Sequence, residues 1–183
     1  MTLNLSTGDP SAVRCIWLTG LSGAGKSTIA NLLQDRLGAH GLRSYVLDGD
    51  QLRTGLNRDL GYSEADRIEN VRRVAEVARL MAHAGLIALV AVISPYRAQR
   101  RLARGLFADG EFLEVFVDTP LDECERRDTK GLYAKARRGE LKHFTGIDSE
   151  YQPPEAPELR LSTMSSTAHE CATVVMRRLG LPG

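Results

Sequence analysis

Eight consecutive residues, Gly20-Leu21-Ser22-Gly23-Ala24-Gly25-Lys26-Ser27, follow the pattern GxxxxGK[ST]. Glycines at these spacings let the backbone curl so that successive N–H groups point inward and cradle an anion. A helix starting at Lys26 adds the partial positive charge of its N-terminus. The Lys26 ammonium can reach β- and γ-phosphates, and the Ser27 hydroxyl can ligate Mg²⁺. The loop predicts binding of a nucleoside triphosphate through Gly20, Ser22, Gly23, Ala24, Gly25, Lys26, Ser27 and Thr28. It does not say where the phosphoryl group goes. No guanine-reading Asn-Lys-x-Asp occurs in the chain, so a kinase of small molecules is favoured over a GTPase.

A second group of polar residues could serve the acceptor. Asp48 and Asp50 end an apolar run, and a carboxylate there can organise Mg²⁺ or take a proton from an attacking hydroxyl. The alternative is a surface Asp-Gly-Asp turn. Arg67 and Asn70 lie three apart, so they share a helix face, near the end whose dipole favours anions. Guanidinium forks such as Arg53 and Arg67 match phosphate or sulfate oxygens. From spacing alone, solvated surface arginines fit them equally well.

The elements that must carry these residues alternate between two periodicities. Short apolar runs at 15–18, 44–47, 86–93 and 112–117 read as strands, the last interrupted by Glu114, with a short strand at 159–161. Helical spacing covers 26–37, with Gly38 near its end, and 168–179. The best-marked helix starts at a Ser63 cap with Asp66 three residues on, and Gly85 is its expected stop. Its apolar stripe is Ile68, Val71, Val74, Ala75, Ala78, Met81 and Ala82. Strands alternating with helices predict an α/β fold, a parallel sheet of the P-loop NTPase type with helices on both faces. Phe112 and Phe116 read as core. Arg97, Arg100, Arg101 and Arg104 fall on one helical face; a solvated surface is the preferred reading over a second anion site or a subunit contact.

Residues 119–146 are rich in charge and turn formers and read as an appendage over the sheet edge. Within them, 126–142 holds seven basic residues (Arg126, Arg127, Lys130, Lys135, Arg137, Arg138, Lys142) against Asp128 and Glu140. Residues 152–157 form a Pro-rich, extended connector.

Bulk properties narrow the function further. The 183 residues suggest one kinase domain over 14–183 behind a short N-terminal extension over 1–13. With 24 Lys and Arg against 23 Asp and Glu, the net charge of +1 gives no general nucleic-acid footprint. The longest apolar run, 86–93, is far below the ~18 residues a membrane helix needs. Residues 1–11 lack the pattern of a signal peptide. Three scattered cysteines, Cys15, Cys124 and Cys171, form no metal spacing and read as free thiols in a reducing cytoplasm.

Further strings carry a resemblance. They are Leu47-Asp48-Gly49-Asp50-x-x-Arg53-x-Gly55-Leu56-Asn57, Asp66-Arg67-x-Glu69-Asn70-x-Arg72-Arg73, Ile93-Ser94-Pro95-Tyr96, Lys130-Gly131-Leu132-Tyr133 and Phe144-Thr145-Gly146-Ile147-Asp148-Ser149. In this order, across about 16–161, the chain resembles the adenylyl-sulfate (APS) kinase family. The resemblance implies transfer of the ATP γ-phosphate to the ribose 3′-hydroxyl of APS, with Mg²⁺ as cofactor and Ser27 and Asp48 as its ligands. Lys26, Asp48 and Ser94 become the catalytic candidates. Asp50, Arg53, Tyr62, Arg67, Asn70, Ile93, Ser94, Lys130 and Phe144 become the APS contacts, with Tyr62 and Phe144 sandwiching the adenine and Lys130 on a mobile lid over about 126–146. Stacked rings of that kind add about 1–3 kcal/mol per base. A homodimer is implied as well. Whether the chain works alone or with an ATP sulfurylase stays open.

Three positions depart from the common pattern: Gln51 for Asn, Tyr62 for Phe and Thr129 for Pro. None removes a charged or stacking group. The matching serine in the family has been regarded as a phosphoenzyme, but direct in-line transfer needs no covalent step, so Ser94 is read as a substrate-site residue. The competing readings are a kinase of another small molecule and a nucleotide-sensing regulator without turnover.

Overall fold

The computed structural model describes residues 13–182. The extension expected over 1–13 therefore lies outside the described residues except for Val13, which packs against the core. In chain order the elements are β1 (Cys15–Thr19), α1 (Lys26–Ala39), β2 (Ser44–Asp48), α2 (Gly49–Thr54), α3 (Glu64–His83) and β3 (Ile87–Ala91). They continue with α4 (Arg97–Arg104), β4 (Phe112–Asp118), α5 (Leu121–Arg127), α6 (Leu132–Arg137), β5 (Leu159–Ser162) and α7 (Ala168–Arg178).

Among the described residues five strands run parallel in the order β2-β3-β1-β4-β5. The chain leaves β1 to one side for β2 and β3, then crosses to the other for β4 and β5. The order thus reverses above the carboxyl end of β1, where open α/β sheets bind ligands. Because every strand points the same way, Gly20, Asp48, Ser94, Thr119 and Thr163 all lie at or just past strand ends on one edge.

Alternation along the strands sorts the core into two layers. Ile16 and Leu18 of β1 and Leu89 and Ala91 of β3 face α1 and α7, joining Ile29, Leu33, Val175 and Met176. Cys15, Trp17, Ala88, Val90 and Phe112 face the other way, against Val71, Val74, Ala75 and Ala78 of α3 and Ala103 of α4. The three cysteines are buried and unpaired, and burial pushes the Cys15 thiol up. No helix among the described residues is long and apolar enough to cross a membrane.

Several expectations need correction. Helix α1 runs through Gly38 to Ala39, and the turn comes at Gly41, whose φ is 72°. The third strand is shorter than the apolar run that marked it. Ile68 is 47% exposed, so the apolar stripe of α3 starts at Val71. The Asp-Gly-Asp segment is no simple turn: Asp48 caps α2, which the short polar sequence did not reveal, its Oδ1 accepting the N–H groups of Asp50 (2.9 Å) and Gln51 (3.4 Å). The appendage over 119–146 contains α5 and α6.

The solvated arginine face is overturned too. Glu114 shares a strand face with Phe112 and Phe116, so β4 aims it under α4, and it is 9% exposed. Arg100, 2% exposed, meets it at 2.8 Å, and Arg104 lies between Glu114 (3.4 Å) and Glu158 (2.7 Å). A buried carboxylate needs such partners, because leaving a charge unpaired in the core is costly. Arg97 donates to the Pro153 carbonyl (2.8 Å) and pairs with Glu155, and only Arg101 keeps the expected exposure.

Candidate active site

The glycine-rich loop connects β1 to α1 in a conformation that its residue types demand. Gly20 has a φ of 148°, and a Cβ there would meet the Val117 carbonyl oxygen at 2.5 Å. Gly25 caps α1 in the left-handed region at φ 102° with no side-chain acceptor. The first-turn N–H groups of α1 thus have no side-chain cap, as an anion site requires. Lys26 is folded back onto the loop, its Nζ donating to the carbonyls of Gly20 (2.8 Å) and Leu21 (2.6 Å). Burial pulls its pKa down to about 8. Ala24 is fully buried, and its carbonyl accepts from Thr119 Oγ1 at 3.2 Å.

Beside the loop, Ser27 Oγ donates to Asp48 Oδ2 at 2.5 Å, linking α1 to the end of β2. Arg53 points out of α2, donates to the carbonyls of Leu60 (3.1 Å) and Gly61 (3.0 Å), and covers the Tyr62 ring at 4.4 Å. The Ser63 cap turns the chain into α3, its Oγ accepting from the Asp66 N–H at 3.2 Å. One turn later Arg67 Nε donates to the Tyr62 carbonyl at 3.0 Å, and its Nη2 donates to the His143 carbonyl. Burial lowers the Arg67 pKa, with the neighbouring Arg53 charge acting in the same direction. Asn70 Oδ1 accepts from Asn57 Nδ2 at 3.0 Å.

The segment that carries Lys130, Tyr133 and Phe144 crosses this edge. Tyr133 Oη donates to the Ser22 carbonyl at 2.9 Å, and its ring meets Phe144 edge-on at 4.9 Å. Lys130 Nζ donates to Asp50 Oδ2. Ser94 follows β3 with a φ of 41°, a strained value for a residue with a Cβ, worth about 1–3 kcal/mol. Its Oγ accepts from Trp17 Nε1 (3.0 Å) and donates to Thr19 Oγ1 (3.0 Å).

One cavity of about 300 Å³ collects these groups. Ser22, Gly23, Gly25, Lys26, Ser27 and Thr28 line it on the loop side. Asp48, Asp50, Arg53, Tyr62, Arg67, Asn70, Ile93, Ser94, Lys130 and Phe144 line the rest. Every residue singled out from the sequence reaches it except Gly20 and Ala24, which shape the loop from behind. A cavity with cationic groups at both ends and an aromatic wall can hold two anionic, ring-bearing molecules together.

Sequence reasoning missed several neighbours. Thr145 lines the cavity, is 1% exposed and has no partner for its Oγ1. Fully buried Asn57 orients Asn70. Asp148 accepts the N–H groups of His143 (2.7 Å) and Phe144 (2.5 Å), fixing the turn that presents Phe144. Those donors outweigh its desolvation and hold the carboxyl below its usual range. Arg127 Nη2 donates to the Thr163 carbonyl at 3.1 Å, tying α5 to the loop after β5. Asn57, Thr145 and Asp148 lay inside the quoted strings, which was their only signal.

Comparison with known proteins gives a consistent picture. The sequence model of the Adenylylsulphate kinase family matches residues 12–162. A relative from Rhizobium sp. (strain N33), bifunctional enzyme NodQ, is 66% identical over 154 residues, covering 84% of this chain and 24% of that protein. The chain thus spans about a quarter of its NodQ relative's length. The adenylyl-sulfate kinase of Burkholderia ambifaria is 57% identical over 166 residues, covering 91% of this chain and 92% of that one. Among solved structures, the APS kinase CysC of Mycobacterium tuberculosis, in complex with AMPPNP and APS, superposes with a TM-score of 0.88 at 54% identity, covering 92% of this chain and 98% of its own.

Proposed function

The chain belongs to the adenylylsulphate kinase family, and from that membership and the cavity's geometry we propose that it phosphorylates adenylyl sulfate with ATP. The products are 3′-phosphoadenylyl sulfate and ADP. The ribose 3′-oxygen forms a bond to the γ-phosphorus, the bond to the β,γ-bridging oxygen breaks, and the hydroxyl proton leaves to Asp48 or water. The observation that carries this reading is the single cavity lined by both the phosphate loop and the acceptor residues.

In this reading the loop N–H groups and Lys26 grip the donor phosphates. Arg53, Arg67 and Asn70 bind the charged end of the acceptor, Tyr62 and Phe144 flank its adenine, and Asp50 and the chain at Ile93 and Ser94 complete its pocket. Lys130 brings positive charge from the lid. Ser27 Oγ and Asp48 Oδ2 are hard oxygen donors 2.5 Å apart, a set that fits Mg²⁺. Among the described residues no three His, Cys, Asp or Glu cluster to cage a metal unaided, in keeping with a cation shared with the nucleotide. Ser27 and Asp48 would hold it, and when bound it neutralises charge on the β- and γ-phosphates.

Transfer is direct. The Ser94 hydroxyl proton is engaged by Thr19 and the residue is 2% exposed, which favours a structural task over attack on phosphorus. With a chiral γ-phosphorus, inversion supports direct transfer, and net retention refutes it. The full reading is tested by coupled ADP release with APS against shikimate, gluconate and nucleoside monophosphates. Turnover restricted to APS is expected; preference for an acceptor without sulfate overturns it. The chain acts in this reading as a cytoplasmic homodimer, alone or beside an ATP sulfurylase; the greater length of a relative named as bifunctional leaves room for a second activity beside this one. Sedimentation at micromolar concentration checks the dimer.

A further inference from the structure

Behind the acceptor wall lies a polar network that the reaction does not use directly. Arg100 is 2% exposed and does not line the cavity. Its guanidinium spends each nitrogen on a different acceptor: Nε on Glu114 Oε1 (2.8 Å), Nη1 on the Ser94 carbonyl (2.6 Å) and Nη2 on the Gln152 carbonyl (2.6 Å). We propose that Arg100 is a positioning residue for the acceptor substrate, anchored by Glu114 and Gln152 and holding Ser94 in the left-handed conformation that shapes the pocket wall at Ile93 and Ser94. The proposal rests on the function argued above, because it assigns that wall to the acceptor.

Three observations converge on it. First, a residue with a Cβ stays at a φ of 41° only where its surroundings over-determine it. Arg100 holds the Ser94 carbonyl, and Trp17 Nε1 and Thr19 hold its hydroxyl, so both polar ends of the residue are fixed. Second, the flanking carbonyls are held in the same way. Thr19 Oγ1 donates to the Ile93 carbonyl at 2.7 Å, and the Gln152 N–H donates to the Pro95 carbonyl at 2.8 Å. Peptide planarity then turns the Ser94 N–H away from Thr19. Third, the sheet register explains the placement. Trp17 and Glu114 are partners across β1 and β4, on the face that α4 covers, so one side of the sheet presents both the indole N–H and the carboxylate behind Ser94.

The chemistry favours arginine here. A planar fork can serve three acceptors in fixed directions, whereas a lysine ammonium keeps the charge beside Glu114 but cannot span all three. Arg104 provides an internal control, since it also reaches Glu114 (3.4 Å) but makes its other contacts to Glu158 and the Phe112 carbonyl.

The test compares wild type, Arg100→Lys, Trp17→Phe and Arg104→Gln by thermal midpoint and by separate KM values for APS and ATP. Arg100→Lys is expected to raise the APS KM about tenfold, as small misplacements of substrate-positioning groups do. Its ATP KM should stay within about twofold, since the phosphate loop is untouched. Trp17→Phe keeps an aromatic, though smaller, ring in the core and removes one hydrogen bond to Ser94, so the APS KM should rise about threefold. Arg104→Gln should lower the midpoint and leave both KM values unchanged. A merely structural Arg100 would predict equal changes for both substrates, or an APS defect in Arg104→Gln as large as in Arg100→Lys; either result overturns the positioning role. Should Arg100→Lys fail to fold, Trp17→Phe decides alone: an unchanged APS KM refutes the proposal and a selective rise supports it. Wild type without turnover on APS sinks the functional reading itself, a different outcome from a working enzyme indifferent to Arg100.

Discussion

The two ends of the cavity are built on different principles. The donor end is one stretch of backbone, 20–28, whose shape follows from glycines and from the first turn of α1. The acceptor end is assembled from four separated segments, around 48–53, 62–70, 93–94 and 130–148, and side chains gripping carbonyls hold it together. Arg53 grips Leu60 and Gly61, Arg67 grips Tyr62 and His143, and Arg100 grips Ser94. Backbone architecture of the first kind tolerates few changes but needs few partners. The second kind can be altered one contact at a time, and each contact should report on one substrate only.

The strongest test of that division is Lys26→Met. Loss of the ammonium aimed at transferring phosphates should lower kcat about a thousandfold, the scale seen when one preorganised electrostatic group is removed. APS binding to the free enzyme, measured by calorimetry, should be unchanged. If APS binding weakened equally, the two ends would not be separable.

Next in size, Arg67→Ala should raise the APS KM about a hundredfold while the ATP KM moves less than about threefold, because a buried charge with fixed partners is lost on the acceptor side alone. Equal effects on both substrates would contradict the assignment. The variant also frees the His143 carbonyl, so faster proteolysis of the segment around His143 should accompany the kinetic change.

That division also explains what could be read from sequence. The loop was legible because its chemistry is contiguous: Gly20, Gly25 and Lys26 carry their conformational meaning wherever they occur in that order. The strands were legible from their apolar runs, and α3 from its helical spacing and the Ser63 cap. Arg53 and Arg67 could not be told from solvated arginines by spacing, since what distinguishes them is the carbonyls they meet: those of Leu60 and Gly61 across a turn for Arg53, and for Arg67 that of His143, 76 residues away in the chain. The resemblance supplied them instead. The arginines of α4 were misread for the same reason: their partner, Glu114, looked like a break in a strand until the sheet turned it inward. Helix α2 escaped notice because no residue within it is buried, leaving no apolar stripe to see.

A smaller effect sharpens the comparison through pH. Burial lowers Lys26 to about 8, and bound phosphates would favour the charged ammonium and raise its pKa again. Nucleotide binding above pH 8 must then take up a proton. The ATP Kd should be flat from pH 7 to 8 and rise towards tenfold per unit, about 1.4 kcal/mol, above it. APS affinity should not follow that profile. A flat ATP Kd to pH 9.5 would mean that Lys26 keeps its charge throughout.

The smallest effect belongs to the contact that crosses between the ends. Lys130 of the lid meets Asp50 of the acceptor pocket, with side chains 47% and 63% exposed. Pairs this open to water contribute little to folding, so Lys130→Met should shift the thermal midpoint by less than about 3 °C. Its kinetic effect follows from geometry. The ammonium is paired with a carboxylate that APS binding needs in the proposed reading, and it would have to leave Asp50 to bring charge to the phosphates. Removing it therefore frees the acceptor site and impoverishes the donor site at once. The APS Kd in the absence of nucleotide should fall slightly, by up to about threefold, the scale of one exposed ion pair, while kcat also falls. Asp50→Asn should not reproduce the pattern, since it loses an acceptor contact as well. A Lys130→Met enzyme with weaker APS binding and unchanged kcat would mean that the lysine serves the acceptor end only, and that the lid does not couple the two.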